Sequence, residues 1–296
     1  MSLSSYKVFD AVATKKSLVK AAEELNLTPS AVSHSLMKLE KELGFKLMHR
    51  DRNGIKLTTQ GTVLLPTVRD ILQCEYKLHE EVDKLNGLKT GTVNIGTFNS
   101  VCANWLPDII KRFGVKYPGI KLNVYQGGYQ DMEEWLVNLR VDLSFVSAGT
   151  VTEGLTVSKL IEDPLLCITP MSFHSKHEGF ITIAELMDQT LIYPDEGYNV
   201  DTDVFVRNNR LIVDKSHNIQ DDMSLIALVE SGLGFCILPE LLLKKVNGNI
   251  KIHEIESRPY RTIGIATSDE KYLTTATKAL IDEIKLYMDE KYSSIR

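Results

Sequence analysis

Residues 17–43 constrain this chain most. They read Ser17-Leu-Val-Lys-Ala-Ala-Glu-Glu-Leu-Asn-Leu-Thr-Pro-Ser-Ala-Val-Ser-His-Ser-Leu-Met-Lys-Leu-Glu-Lys-Glu-Leu43 and predict two short helices broken at Asn26-Leu27. Thr28 is a favourable N-cap, and Pro29 falls at the first helical position, where its missing N–H costs nothing. Val32, Leu36, Leu39 and Leu43 recur every three or four residues as an apolar stripe. Ser30, Ser33, His34, Lys38 and Lys41 lie on the other side, a short polar and basic face of the kind that enters a major groove. Ala21-Ala22 in the preceding helix is small enough for the second helix to cross closely. An ordinary helical hairpin with a solvated face has the same pattern, so the residues that follow decide between the two.

Gly44-Phe-Lys-Leu47 ends the second helix, and His49-Arg50-Asp51-Arg52-Asn53-Gly54-Ile55-Lys56-Leu57 comes next. Asn53-Gly54 is a strong two-residue hairpin signal. A hairpin bearing Arg50, Arg52 and Lys56 directly after a recognition helix reads as a wing, whose basic tip meets phosphates or the minor groove.

Residues 1–60 resemble the winged helix-turn-helix of LysR-type transcriptional regulators. The resemblance rests on Ser17, Ala21-Ala22, Leu25, Thr28-Pro-Ser-Ala-Val-Ser33, Leu39-Glu40, Leu43-Gly44, Arg50, Leu57-Thr58 and Gly61 taken as a block. It implies recognition by Thr28, Pro29, Ser30, Ser33 and His34, with Lys38, Arg50 and Arg52 on phosphate or in the minor groove. The family often carries Arg where this chain has Asn53. Either Arg52 takes that role, or the wing binds differently.

Charge separates the chain into unlike parts. Residues 1–60 hold ten Lys+Arg against six Asp+Glu, whereas residues 90–296 hold twenty against 28. A basic head on an acidic body suits a DNA-binding module joined to a domain that does not bind DNA. The hydrophobic fraction of 43% is that of an ordinary globular protein. No apolar run approaches the ~20 residues that span a bilayer, and Met-Ser-Leu-Ser-Ser-Tyr-Lys-Val-Phe lacks the apolar core of a signal peptide. The expectation is a cytoplasmic protein that does not engage the membrane. Cys74, Cys102, Cys167 and Cys236 are scattered with no CxxC pair, and read as plain buried or half-buried thiols. Cys167 and Cys236 do not resemble in spacing the oxidant-sensing pair of some LysR-type proteins.

From Thr58 or Thr59 to Leu85 the pattern predicts one long helix. Leu64, Val68, Ile71, Leu78, Val82 and Leu85 alternate steps of three and four, with Glu75 at the vacant position and Pro66 near the start. This reads as a coiled-coil seam with one polar interruption, and so as a dimerising linker. Two heads related by a two-fold read a palindrome, where one offers few base contacts.

Beyond the linker, strands and helices alternate. Strands are expected at 91–96, 117–125, 141–147, 165–169, 191–193 and 262–267, and helices at 101–113, 131–140, 221–231 and 271–292. Such alternation predicts a mostly parallel, doubly wound α/β sheet with helices on both faces. The order is similar to the LysR effector-binding domain, a bilobed fold like periplasmic solute-binding proteins. Its landmarks are Val93, Ile95-Gly96, Leu106-Pro107, Phe113, Tyr117-Pro118, Val141-Asp142-Leu143, Leu228-Val-Glu-Ser-Gly-Leu-Gly234 and Leu238-Pro239. The expected division is a winged head at 1–60, a linker helix at 61–89 and a bilobed body at 90–296. Lobe I would comprise about 90–163 and 268–296, and lobe II about 164–267.

The fold implies a ligand cleft between lobes, at the carboxyl ends of strands. Ser100, where the first helix of the body begins, offers a hydroxyl beside free backbone N–H groups, which suits an organic anion. The family's ligand-contacting serine or threonine maps onto it. Resemblance adds Gln126, Gly127, Ser147, Tyr193, Pro194 and Met223.

No metal or cofactor site is legible. Gly232-Leu-Gly234 is an incomplete phosphate fingerprint, His174-x-x-His177 lacks partners at ligand spacing, and Glu133-Glu134 and Asp221-Asp222 read as solvated or cap positions. No nucleophile–base arrangement appears. The resemblance therefore implies a non-enzymatic transcriptional regulator whose partners are double-stranded operator DNA, a small-molecule effector, its own copies as homodimer or homotetramer, and RNA polymerase. A transport solute-binding protein would share the body but not the head. An enzyme on the same fold would need catalytic groups in the cleft.

Overall fold

A computed structural model describes residues 1–25, 27–51, 54–85, 90–149, 151, 154–193, 200–214, 219, 221–268 and 273–293. Two compact units emerge, Met1–Leu88 and Lys89–Arg296.

The first unit holds α1 (Leu3–Lys15), α2 (Leu18–Leu25), α3 (Pro29–Leu43), the hairpin β1 (Met48–Asp51) and β2 (Gly54–Leu57), and α4 (Thr59–Leu85). Thr28 caps α3 as its sequence predicts: Ala31 N donates to Thr28 Oγ1 at 3.2 Å. The stripe Val32, Leu36 and Leu39 is buried against Val8, Phe9, Val12, Ala21, Ala22 and Leu47. Each such side chain contributes about 1.5–3 kcal/mol relative to exposure. The hairpin pairs Asp51 with Gly54. Gly54 is thus the first residue of β2, at a φ of +116° that disfavours a side chain, rather than the second residue of the turn.

Helix α4 begins as part of this same core. Leu65 and Val68 are buried in it and Leu64 packs against it. Arg69 Nε donates to Asp10 Oδ1 at 2.7 Å, and Lys7 pairs with Glu75 at 2.8 Å. The sequence placed Leu64 and Val68 on a dimer seam. Within the single chain, Val68 is buried in the head's own core and Leu64 packs against that core. Ile71, Leu78 and Val82 stay exposed, and the side chain of Leu85 lies outside the described residues. Gly61 is required by close approach, since a Cβ there would lie 2.1 Å from the Leu47 carbonyl oxygen.

The second unit runs β3 (Gly91–Thr97), α5 (Asn99–Asn104), α6 (Leu106–Lys116), β4 (Ile120–Gln126), α7 (Tyr129–Val137), β5 (Leu143–Ser147) and β6 (Thr156–Pro170). It continues through β7 (Phe180–Ile181), α8 (Ile183–Met187), β8 (Leu191–Ile192), α9 (Val200–Asn208), β9 (Val213–Asp214) and α10 (Asp222–Glu230). It ends with β10 (Cys236–Pro239), α11 (Glu240–Leu243), β11 (Ile250–Ile255), β12 (Tyr260–Thr267) and α12 (Thr275–Tyr292). The single helix expected at 101–113 is two, because Pro107 lacks an N–H and its ring disrupts the turn before it.

The sheet order is β4-β3-β5-β12-β6-β11-β7, with β10 also on β6. Among the described residues, only β3 with β4, β3 with β5 and β11 with β7 are parallel in this sheet. The mostly parallel expectation is corrected: β12 inserts between β5 and β6 antiparallel to both, and β10 and β11 flank β6 antiparallel. Only residues 148–155 separate β5 from β6, too few for a helical crossover.

β6 joins the two halves of the unit. Thr156–Pro164 pairs with β12, and Leu165–Pro170 pairs with β10 and β11. Residues 260–267, which the sequence grouped with the second lobe, therefore run in the sheet of the first. Trp105, Phe113, Phe145, Leu280 and Ile284 fill the first half's core. The second half packs on both faces of its sheet, Leu165, Cys167 and Ile237 on one and Ile168, Cys236 and Leu238 on the other.

Candidate nucleic-acid face and effector cleft

On α3, Thr28, Pro29, Ser30, His34 and Lys38 are exposed, and Ser33 is half-buried. The Thr28 and Ser30 hydroxyls lie 3.0 Å apart, held together at the helix start. Met37 is 51% exposed one residue before Lys38. Sequence reasoning passed over it as one more apolar residue, yet it stands between basic positions, and an apolar side chain there suits a thymine methyl. The side chain of Arg50, and all of Arg52 and Asn53, lie outside the described residues.

What ties this face to the hairpin is Glu40, whose residue is 6% exposed. Its Oε1 accepts from Leu47 N at 2.9 Å and Met48 N at 3.3 Å, and its Oε2 accepts from Lys46 Nζ at 2.7 Å. The carboxylate thus satisfies the backbone donors that open β1.

In the second unit, Arg261 at the start of β12 organises a buried cluster. Its Nε and Nη2 donate to Asp163 Oδ2 at 2.8 and 2.6 Å. Nη2 also donates to Ser100 Oγ at 2.7 Å, Nη1 donates to the Tyr129 hydroxyl, and the guanidinium lies 5.0 Å from the centre of the Phe98 ring. Asp163 Oδ1 accepts from Leu241 N at 2.9 Å. Burial pushes the Tyr129 hydroxyl up to about 12, against the pull of Arg261. Ser100 and Tyr129 accept from Arg261, so each keeps its own O–H for a ligand.

Among the described residues, side-chain hydrogen bonds to α9 and α10 tie the second half to the first. Ser147 Oγ at the end of β5 donates to Asp201 Oδ1 on α9 at 2.9 Å, and Asn99 Nδ2 on α5 donates to Asp222 Oδ2 on α10 at 2.7 Å. Burial raises the Asp201 carboxyl above its usual range; the Ser147 bond and Arg261 oppose the rise, and Asp163 adds to it. Its second oxygen, Oδ2, is buried and has no hydrogen-bond partner among the described residues.

Of the residues proposed from sequence, Ser100 and Ser147 belong to this constellation. Gln126 is exposed at the end of β4, and Gly127 N donates to Thr97 O at 3.1 Å. Tyr193 is buried in the second half's core, and Met223 is 61% exposed on α10. Pro194 lies outside the described residues. Sequence reasoning missed Arg261, Asp163, Tyr129 and Asp201. A lone arginine heading the apolar run 262–266 was the signal available for the first. Asp222, read as a solvated or cap position, is buried and bonded to Asn99.

Cys167 and Cys236 lie on neighbouring strands. Cys236 registers with Ile168 and Ile237 with Cys167, which sends the two thiols to opposite faces. Among the described residues no cluster of His, Cys, Asp and Glu is arranged to hold a metal, and no helix is long and apolar enough to cross a membrane.

Comparison with known proteins supplies the family context. Residues 3–62 match the model of the bacterial regulatory helix-turn-helix protein, lysR family, and residues 86–289 match the LysR substrate binding domain. The chain is 29% identical over 292 residues to the uncharacterized HTH-type transcriptional regulator YvbU of Bacillus subtilis, covering 96% of this chain and 98% of that one. It is 30% identical over 261 residues to the HTH-type transcriptional activator CmpR of Synechocystis, covering 87% and 86%. In fold it is similar to a full-length cysteine-to-aspartate variant of OxyR from Pseudomonas aeruginosa, with a TM-score of 0.76, 18% identity and coverage of 98% and 95%. It is also similar to full-length CbnR complexed with its target DNA, with a TM-score of 0.57, 18% identity and coverage of 97% and 100%. The regulatory domain of Synechocystis CcmR in complex with 2-PG gives a TM-score of 0.62 at 18% identity, covering 67% of this chain and 98% of that one.

Proposed function

The chain belongs to the LysR family of DNA-binding transcriptional regulators with an effector-binding domain, and on that premise we propose how its two units divide the task. The α3 face reads an operator through Thr28, Pro29, Ser30, Ser33 and His34, with Lys38, Arg50 and Arg52 on phosphate or in the minor groove. The chain acts in the cytoplasm as a homodimer or homotetramer joined along the exposed half of α4, through Ile71, Leu78 and Val82 with Leu85. RNA polymerase is the downstream partner.

A small organic molecule with an anionic group binds between the halves of the second unit. Ser100, Gln126, Gly127, Ser147, Pro194 and Met223 are its candidate contacts, with Tyr193 supporting them from the core. The observation that carries this reading is the Arg261 cluster, which directs two hydroxyl donors, Ser100 and Tyr129, from a cationic centre. The solved complex of CcmR with 2-PG supports a small-molecule ligand at the equivalent domain. Ligand binding regulates only if one arrangement of the halves binds it better than the other. The Ser147–Asp201 and Asn99–Asp222 bonds are the contacts such a change would break or remake.

The test is a footprint of the purified full-length protein on the DNA beside its own gene at two salt concentrations. Protection over two half-sites that weakens as salt rises is the expected result. Absence of selective protection there and on sequence-selected DNA would overturn the operator-reading proposal.

A further inference from the structure

We propose that the effector is amphoteric, a small molecule carrying both a carboxylate and an ammonium group in the manner of a free amino acid, with Asp201 receiving the ammonium. This rests on the cleft reading above and names the ligand class for that site.

The argument is one of unfilled hydrogen-bonding capacity. Arg261 is committed to Asp163, Tyr129 and Ser100. Ser100 and Tyr129 therefore offer donors, which suit a carboxylate. Asp201 offers the opposite. Ser147 fills one of its oxygens, and the other is buried with no partner among the described residues. A buried carboxylate oxygen left unsatisfied is costly, and its natural complement is a cationic donor.

Charge points the same way. Arg261, Asp163 and Asp201 together carry one net negative charge when ionised. A ligand that is only an anion adds a second negative charge in a poorly screened site, whereas a zwitterion adds none. Arg261 and Asp163 pair across β12 and β6, and Asp201 bonds Ser147 at the end of β5, the strand on the other side of β12. Their placement follows from the sheet. Ser147 on β5 registers with Ile263 on β12, two residues from Arg261, and α9 brings Asp201 to Ser147 from the second half. A ligand spanning both ends would touch both halves at once, which is what a switch between them requires.

The experiment titrates the full-length protein calorimetrically with each of the twenty L-amino acids and, in parallel, with the carboxylic acid lacking the amino group. At least one amino acid is expected to bind at least tenfold more tightly than its desamino counterpart. Asp201→Asn should abolish that difference, and Ser147→Ala, which removes the hydrogen bond that Ser147 gives Asp201, should reduce it, with circular dichroism confirming that both variants fold. A desamino acid that binds as tightly as its amino acid, binding by none of the twenty, or a preference that survives Asp201→Asn would each overturn the proposal. The ligand-free footprint separates the two readings: protection without amino-acid binding removes the ligand class alone, whereas loss of selective protection removes the operator reading.

Discussion

Arg261 and Asp163 form a doubly hydrogen-bonded ion pair in which both donors, Nε and Nη2, converge on one carboxylate oxygen. The side chains are 2% and 5% exposed. The other oxygen of Asp163 accepts from Leu241 N, so one carboxylate fixes both the Arg261 guanidinium and the start of α11.

Asp163→Ala is expected to destabilise the second unit by about 3–5 kcal/mol, because it leaves a buried guanidinium without its counter-charge. Asp163→Asn, which keeps an acceptor, should lose less. Calorimetric unfolding of the full chain reads both. A loss below about 1 kcal/mol for the alanine variant would contradict the pairing.

Glu40→Ala should lower the stability of the first unit by about 1–3 kcal/mol, since Leu47 N and Met48 N lose their acceptor. Operator affinity should fall along with it, because the hairpin is no longer held against α3. Glu40→Gln should lie between wild type and alanine. Fluorescence anisotropy on an operator duplex, paired with chemical denaturation, checks the two effects. Unchanged operator affinity in the folded alanine variant would show that the carboxylate is structural only.

Leu78→Asp is directed at the exposed half of α4, where Leu78 is 64% exposed and Val82 44%. The charge should shift sedimentation toward a single chain while leaving the core around Val68 intact. Wild-type association by the variant would place the interface elsewhere.

Oxidation should leave Cys167 and Cys236 unlinked. The thiols face opposite sides of the sheet, and burial raises Cys167 well above its usual value and Cys236 to about 12, so thiolate is scarce near neutral pH. Exposed Cys74 should react first with a thiol reagent under native conditions. Mass spectrometry after peroxide treatment that finds a Cys167–Cys236 disulfide in folded protein would refute this.

Much of the fold was legible because its signals are local. Thr28-Pro29 and the stripe Val32, Leu36 and Leu39 mark α3 by capping and periodicity alone, and the run from Thr59 to Leu85 marks α4 in the same way. Gly54 takes the positive φ that the Asn53-Gly54 dipeptide favours, but its pairing with Asp51 makes it the first residue of β2, which only strand register reveals. The first half of β6 and all of β11 escaped notice because the strands they pair with lie far away in sequence. Ser100 could be placed from the strand and helix around it. Its partner Arg261 could not, being 161 residues further on.

The sequence by itself determined the two-part organisation, the capped recognition helix, the long linker helix and the family, since each follows from local pattern, net charge or a motif read along the chain. Only the tertiary structure decided that Val68 packs in the head's own core, that β12 belongs to the first half's sheet, that Arg261 gathers Asp163, Tyr129 and Ser100, and that Ser147 meets Asp201. These are relationships of burial and charge between residues distant in the chain. Periodicity carries no information about them until the folded backbone brings them within hydrogen-bonding reach.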